Sequence, residues 1–388
     1  MSEPPTRSGT VVAIRELDRL EEVEMDWREL AESRSNAFLT PEWAGCWFKH
    51  YGAGFEPLVV AVRADGGRVR GLLPMAISAS GRPRIATLVG ANLGDRFHPV
   101  CKPGEEPEVA AAAGEALAAC GDPWSTVILD HVDTAGGWVD ALGTGTDVRL
   151  ARLERVAAGL PFIDLSRYSD WDGYLADRSS NFRQQVRRFR RNAARDHELR
   201  FRRTESSAGL DSDLSTFFEL HDRRWQGRGG STLATDRARA FHADFAAAAL
   251  ARGWLRLWVM EVDGTPAAAW YGWRVGGTYA YYNAGFDPRH SKLRPGMVLM
   301  AAVIHAALEE GAAEFDFLLG NEAYKHRFAD GNREVSDITL VKRAHPAAAV
   351  ARAEQAARRV ARLIPADTRA RLGLGRLARR SAFGGRRR

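Results

Sequence analysis

The sequence predicts a mixed α/β (α+β) protein made of two successive halves with the same element order, and three observations carry that prediction. Segment 58–63, a turn at Asp65-Gly66-Gly67 and segment 69–77 form a strong hairpin signal. Segments 254–262, 266–275 and 278–286, joined at Asp263-Gly264 and Gly276-Gly277, form a three-strand meander. Each group is preceded by helical patterns and followed by one long helix, 106–119 and 295–310.

In the first half, 26–30 and 41–50 read as helices, the second with Thr40 as cap and Pro41 at an early helical position. Segments 86–89 and 126–129 read as further strands, and Gly121 stops helix 106–119. The boundary between halves is expected near Gly159-Leu160-Pro161. In the second half, 171–177, 181–195, 214–225 and 235–252 read as helices ahead of the meander. Helix 295–310 is apolar nearly all round, so burial is expected, and Gly311 closes it. A strand at 314–319, a short helix at 322–328 and a strand at 334–341 follow. The expected organisation is a domain at 10–159, a second at 160–343, and a basic tail at 344–388 with one helical stretch, 346–364, and a disordered end.

At 388 residues, with 45% hydrophobic and 27% charged residues, the chain has the composition of a soluble protein of two or three domains. Cys46, Cys101 and Cys120 form no C-x-x-C pair, which argues for a reducing compartment and against a zinc site or a disulfide framework. The first 17 residues lack the apolar core of a secretory signal. The longest apolar run, 297–308, is too short to span a bilayer and carries His305. A cytoplasmic protein is expected. The net charge of +6 comes from the tail, where twelve arginines face two acids. The rest of the chain is about −4, which weakens any reading of the folded body as a nucleic-acid binder, DNA above all.

Three ordered segments carry a resemblance. They are Tyr281-Tyr282-Asn283-Ala284-Gly285-Phe286-Asp287-Pro288, then Leu293-Arg294-Pro295-Gly296, then the run from Phe315 through Asp316 to Tyr324-Lys325. With 181–195, Leu220-His221-Asp222-Arg223-Arg224-Trp225, 38–47 and 71–74, they resemble the CelD-type GNAT acetyltransferases. That family is associated with cellulose and exopolysaccharide biosynthesis and is similar to the Fem-type peptidoglycan aminoacyl transferases. The resemblance implies tandem GNAT-like domains, the first degenerate and the second active. It also implies acetyl-CoA or another acyl-CoA as co-substrate, and an amine or hydroxyl of a sugar, a polysaccharide precursor or a related metabolite as acceptor. The Fem-type likeness leaves aminoacyl-tRNA as an alternative donor, and a non-catalytic scaffold of polysaccharide assembly is a third reading.

The chemistry needs a phosphate site, a polarised thioester carbonyl and proton handling. The turn 289–296 lies between a strand and a helix start, where free amides and the helix dipole favour phosphate. The family's Gln/Arg-x-x-Gly-x-Gly/Ala signature is not matched, and Pro295 removes one donor. Phe286, Arg289, Lys292, Arg294 and Gly296 are the candidate cofactor residues, the cations offsetting the missing amides. The resemblance assigns carbonyl polarisation to a backbone amide of 278–286.

Tyr324 is the candidate general acid toward the thiolate, on the short helix where related enzymes often place a tyrosine. Asp316, in an apolar strand, needs a partner once buried, which Lys325 or Arg327 could supply. Glu322, Asp316 and His221 are the candidate bases. Helix 181–195 carries Arg183, Arg187, Arg191 and Arg195 on one face and no acid between Phe182 and Arg195. It points to an anionic partner, either cofactor phosphates or an anionic glycan or lipid-linked substrate. Arg183, Arg187, Arg191, His221 and Trp225 are therefore the candidate substrate-binding residues. The tail stripe Val350, Ala357, Val360 and Ile364, flanked by arginines, could contact an anionic membrane. Asp95 and His98 form a polar loop in the first half.

Overall fold

The computed structural model describes residues 10–80, 84–120, 124–146, 150–226 and 233–343, together with 346 and 349. The tail helix 346–364 and the disordered end expected beyond it lie outside the described residues.

The first half runs β1 (Thr10–Ile14), α1 (Glu21–Ser33), α2 (Pro41–Tyr51), β2 (Phe55–Arg63), β3 (Val69–Ser78) and β4 (Arg84–Leu88). It continues with β5 (Val100–Cys101), α3 (Glu106–Ala119), β6 (Trp124–Val132), α4 (Trp138–Gly145) and β7 (Leu150–Asp164). The second half adds α5 (Trp171–Ala176) and α6 (Ser180–Asp196), then repeats the order. It has β8 (Leu199–Arg203), α7 (Ser207–Trp225), α8 (Asp236–Ala251), β9 (Leu255–Val262), β10 (Thr265–Val275) and β11 (Thr278–Phe286). After a 3-10 turn at Pro288–Leu293 come α9 (Pro295–Glu309), β12 (Glu314–Asp316), α10 (Ala323–Phe328) and β13 (Gly331–Lys342). Local chemistry sets several starts: Thr40 caps α2 through its hydroxyl, with Pro41 at the first helical position.

All of these strands form one sheet, in the order β1-β2-β3-β4-β6-β13-β7-β12-β11-β10-β9-β8, with β5 added on β3. The pairs are antiparallel except β4 with β6 and β11 with β12. The halves exchange their last strands. β7 ends the first half but lies against β12 of the second, whereas β13 ends the second and lies against β6 of the first. β7 and β13 pair with each other from Phe162↔Gly331 to Leu150↔Lys342. Gly159, Leu160 and Pro161, where the sequence suggests a boundary, lie inside β7.

Two apolar cores flank the sheet. One joins the halves: Trp43 of α2 meets Phe241 and Phe245 of α8 edge-on, each at 4.8 Å. The other lies under α9, whose Val298, Leu299, Val303 and Ile304 are buried, as its unbroken apolar character predicts. Among the described residues, no helix is long and apolar enough to cross a membrane, and no cluster of His, Cys, Asp or Glu could hold a metal.

One contact fixes the wall of the site. A Cβ on Gly285 would lie 2.2 Å from the backbone nitrogen of His221 and 2.4 Å from the carbonyl carbon of Leu220, so α7 rests directly on β11. Backbone cannot swing aside as a side chain can. Gly285→Ala is expected to cost about 3 kcal/mol of stability, read from chemical denaturation.

Candidate functional site

β11 and β12 run parallel for three residue pairs, Thr278↔Glu314 to Ala280↔Asp316, and then diverge. At the divergence β11 carries an extra residue. Tyr271 lies opposite Asn283 and Gly272 opposite Tyr281, so Tyr282 is unpaired in a bulge. The bulge bends β11 away from β12 and leaves its edge beyond Ala280 without a strand partner. The strand expected over 314–319 therefore ends at Asp316. Leu318 turns the chain with φ 53°, and Gly320 with φ 139°.

A cavity of about 420 Å³ opens in this wedge, between β11, α9, α10 and α6. Trp270, Phe286, Leu299, Met300 and Phe328 supply apolar surface. The charged residues on its wall are Arg224, Arg294 and Arg327; no aspartate or glutamate lines it. Arg327 donates to Gln185 Oε1 at 2.8 Å and lies over the Phe182 ring. Arg224 lies 5.8 Å from the Trp225 ring and 5.6 Å from the Phe286 ring, and donates to the Ala284 carbonyl at 3.1 Å. It has no carboxylate partner among the described residues.

The start of α9 is a constrained turn. Arg294 adopts φ 55° and precedes Pro295. The Met297 and Val298 amides donate to the Arg294 carbonyl at 2.9 and 3.1 Å. Since Pro295 has no N–H, Gly296 carries the amide of this turn that has no partner among the described residues, and it lines the cavity together with Arg294 and Ser291. Of the expected cofactor residues, Phe286, Arg294 and Gly296 line this cavity. Arg289 and Lys292 do not line the cavity. Arg289 is bound to Asp287 by its guanidinium, at 2.6 and 3.0 Å, and by its amide at 2.9 Å. With Arg223 also donating, that grip holds Asp287 well below the usual carboxylate range. Lys292 is exposed.

Tyr324 reaches the cavity from α10. Its hydroxyl donates to that of Tyr281 at 3.3 Å, and burial, with Tyr281 beside it, holds the phenol well above its ordinary range. It stays protonated, a donor rather than a base. Lys325 is buried, donating to the Leu319 carbonyl at 2.8 Å and lying 3.1 Å from Glu322, which is exposed at the start of α10.

Asp316 is 2% exposed. Its partners are not the expected Lys325 or Arg327 but the Leu318 amide at 2.7 Å, with Arg96 and Arg333 at 3.8 and 3.9 Å. Those arginines come from a first-half loop and from β13, which the strand exchange brings alongside. Burial still raises its carboxyl.

The first half contributes a residue here that the sequence marks only as part of a polar loop. Asp95 accepts from the Leu319 amide at 3.2 Å while Lys325 holds the carbonyl of the same residue. Burial raises the Asp95 carboxyl as well. His98 lies apart, buried and bonded to the Pro99 carbonyl at 2.8 Å.

The remaining expected substrate residues separate. Arg183 is spent on the carbonyls of Ala176 and Arg178, at 2.6 and 2.9 Å, and serves the helix junction. Arg187 and Arg191 lie on the opposite flank of α6 from the cavity, so they do not reach a ligand there. Trp225 is exposed and packs against Arg224. His221 is buried against Phe217 and Trp225 and does not line the cavity. Burial pushes its imidazole down to about 4. The unfolded chain, with an ordinary histidine near 6.5, takes up that proton first, so stability falls as pH drops from about 6.5 to about 4. His221→Gln is expected to remove about 3 kcal/mol of that decline, measured by denaturation at a series of pH values.

Residues 180–326 match the family model described as an Acetyltransferase (GNAT) domain. No curated protein matches the sequence. Among solved structures, FemX aligns over 85% of this chain and 96% of its own, with a TM-score of 0.59 at 12% identity. The C-terminal domain of a protein named as a lysylphosphatidylglycerol synthetase, from Agrobacterium fabrum, aligns over 86% and 94%, with a TM-score of 0.53 at 14% identity. L-PGS from Bacillus licheniformis aligns over 90% and 97%, with a TM-score of 0.51 at 13% identity. At such identities the likeness is one of fold. The wedge between β11 and β12 and the helix that starts beside it belong to a GNAT fold, and the segment that matches the GNAT acetyltransferase model, 180–326, contains both.

Proposed function

We propose that the cavity holds an acyl-CoA, acetyl-CoA in the first instance, and that the protein moves the acyl group directly to an amine or hydroxyl of a sugar, polysaccharide precursor or related metabolite, as the CelD-type resemblance implies. The observation that carries this reading is the composition of the wall. Three arginines, a helix-start amide and no acid border a cavity whose remaining wall is mostly apolar, with Gln185, Tyr281, Ser291 and Tyr324 as its other polar side chains. A ligand with phosphates at one end and a thioester-bearing arm fits that combination.

The acceptor's nitrogen or oxygen attacks the thioester carbonyl carbon, the C–S bond breaks, and the thiolate leaves as coenzyme A. The β11 edge beyond Ala280 is where a backbone donor would meet the developing oxyanion. Tyr324 gives its proton to the thiolate. Burial raises the phenol, and it disfavours the thiolate anion in the same cavity, which is the charge that the transferred proton removes. With no carboxylate or imidazole on the cavity wall, the acceptor's own proton leaves on the far side of the wedge, where Glu322 is the exposed candidate base. The first half is proposed as a degenerate copy. At the start of α3, Glu106 takes the Gly104 amide at 2.6 Å and pairs with Arg34 at 3.2 Å, filling the place a phosphate would use.

A second reading replaces acyl-CoA with aminoacyl-tRNA. The scarcity of free amides at Arg294–Gly296 and the fold likeness to FemX and to the named lysylphosphatidylglycerol synthetase favour it. Arg294→Glu separates the two. It is expected to weaken acetyl-CoA binding about tenfold or more by calorimetry. A wild-type protein that binds no acyl-CoA but shifts tRNA with steep salt dependence would establish the alternative.

A further inference from the structure

A second groove, of about 340 Å³, lies between α6 and α9 on the flank of α6 that faces away from the cavity. Trp171, Val186 and Val298 form its floor, and Arg187, Arg190 and Arg191 its rim. Arg187 meets Asp172 at 3.1 Å, but both side chains are mostly exposed and such a pair holds the charge only weakly. Arg190 and Arg191 are exposed and have no carboxylate partner among the described residues. Arg188 lies over the Phe189 ring and Arg195 is held by Asp196 at 2.6 and 2.8 Å, and α6 has no acid before that aspartate.

The combination selects one chemistry. A free phosphate or sugar phosphate would use the arginines but not the apolar floor. A nucleic acid would set its phosphates on the arginines and leave the apolar floor unused unless it could stack a base there. Trp171 offers no open face for that, because Tyr174 and His305 already stack on it at 5.3 and 5.4 Å. An anionic phospholipid uses both parts of the groove, its phosphate between Arg190 and Arg191 and its first methylenes on the floor. We propose that the arginine face of α6, with this groove, docks the protein on an anionic membrane surface. Each arginine near such a surface contributes about 1 kcal/mol. This placement is independent of the donor used in the cavity, and it brings the GNAT domain itself, rather than the tail, to the bilayer.

The test is flotation of the full-length chain at physiological ionic strength with vesicles rich in phosphatidylglycerol and with vesicles of phosphatidylcholine alone. The protein is expected to float with the first and not the second. Arg190→Glu with Arg191→Glu is expected to lower the bound fraction at least about tenfold, with melting temperature and acetyl-CoA affinity unchanged. Arg379→Glu with Arg380→Glu, in the tail, is expected to leave binding within about twofold. The proposal is overturned if the wild-type chain ignores both vesicles, or if the α6 variant floats like wild type. It is equally overturned if the α6 arginines prove necessary for tRNA binding and not for vesicle binding.

Discussion

Tyr324→Phe is expected to slow acyl transfer about 10²–10³-fold while leaving the affinity for acyl-CoA nearly unchanged. The substitution removes one oxygen from a ring that otherwise keeps its packing against the cavity. Among the described residues the lost oxygen makes a single hydrogen bond, to Tyr281 at 3.3 Å, a long one, so little stability is at stake. A general acid acts only as the thiolate forms, so its removal lowers turnover and not ground-state binding. Rapid-mixing kinetics with a chromophoric thiol trap would separate the two quantities. Equal losses in affinity and rate would return Tyr324 to a packing role.

Asp95→Ala is expected to lower stability by about 2 kcal/mol and to reduce turnover as well, although Asp95 lies in the other half of the chain. Its carboxylate holds the Leu319 amide, and Lys325 holds the Leu319 carbonyl. Leu318 and Gly320, on either side, both have positive φ, a conformation that leucine accepts only when its surroundings impose it. Removing the carboxylate leaves a partly buried N–H unpaired and releases the loop that leads into α10 and Tyr324. Asp95→Asn keeps an acceptor oxygen in place and, since burial already disfavours the charge, is expected to restore most of both losses. Urea denaturation and turnover on the same samples check this. If alanine and asparagine behave alike, the hydrogen bond is not what matters.

The legible parts of the sequence were those set by near neighbours. The meander β9–β11 announced itself through Asp263-Gly264 and Gly276-Gly277, and α9 through its unbroken apolar run. That Tyr324, Arg294, Gly296 and Phe286 line one cavity follows from their positions relative to those elements. What escaped was set by distant partners. β7 carries Pro161 and a mixed pattern, and it is a strand because β13 supplies its other edge. β1 and β8 are short strands at the two ends of the sheet, too brief for a periodic signal. The partners of Asp316 come from Arg96 and Arg333, and Asp95 acts on Leu319, links that no local pattern contains. Arg223 and Arg224 look alike in sequence, yet one helical step of about 100° sends the first to Asp287 and the second to the cavity. The capture of Arg289 is local by contrast: Asp287, two residues before it, is the acid that holds it.

Hydrogen–deuterium exchange with and without acetyl-CoA tests the central claim most directly. The account predicts slower exchange in 281–286, 294–300 and 322–328, which border the cavity, and no change in 89–106 of the first half. Unchanged exchange in the first three segments at saturating acetyl-CoA, or protection confined to 89–106, would contradict it.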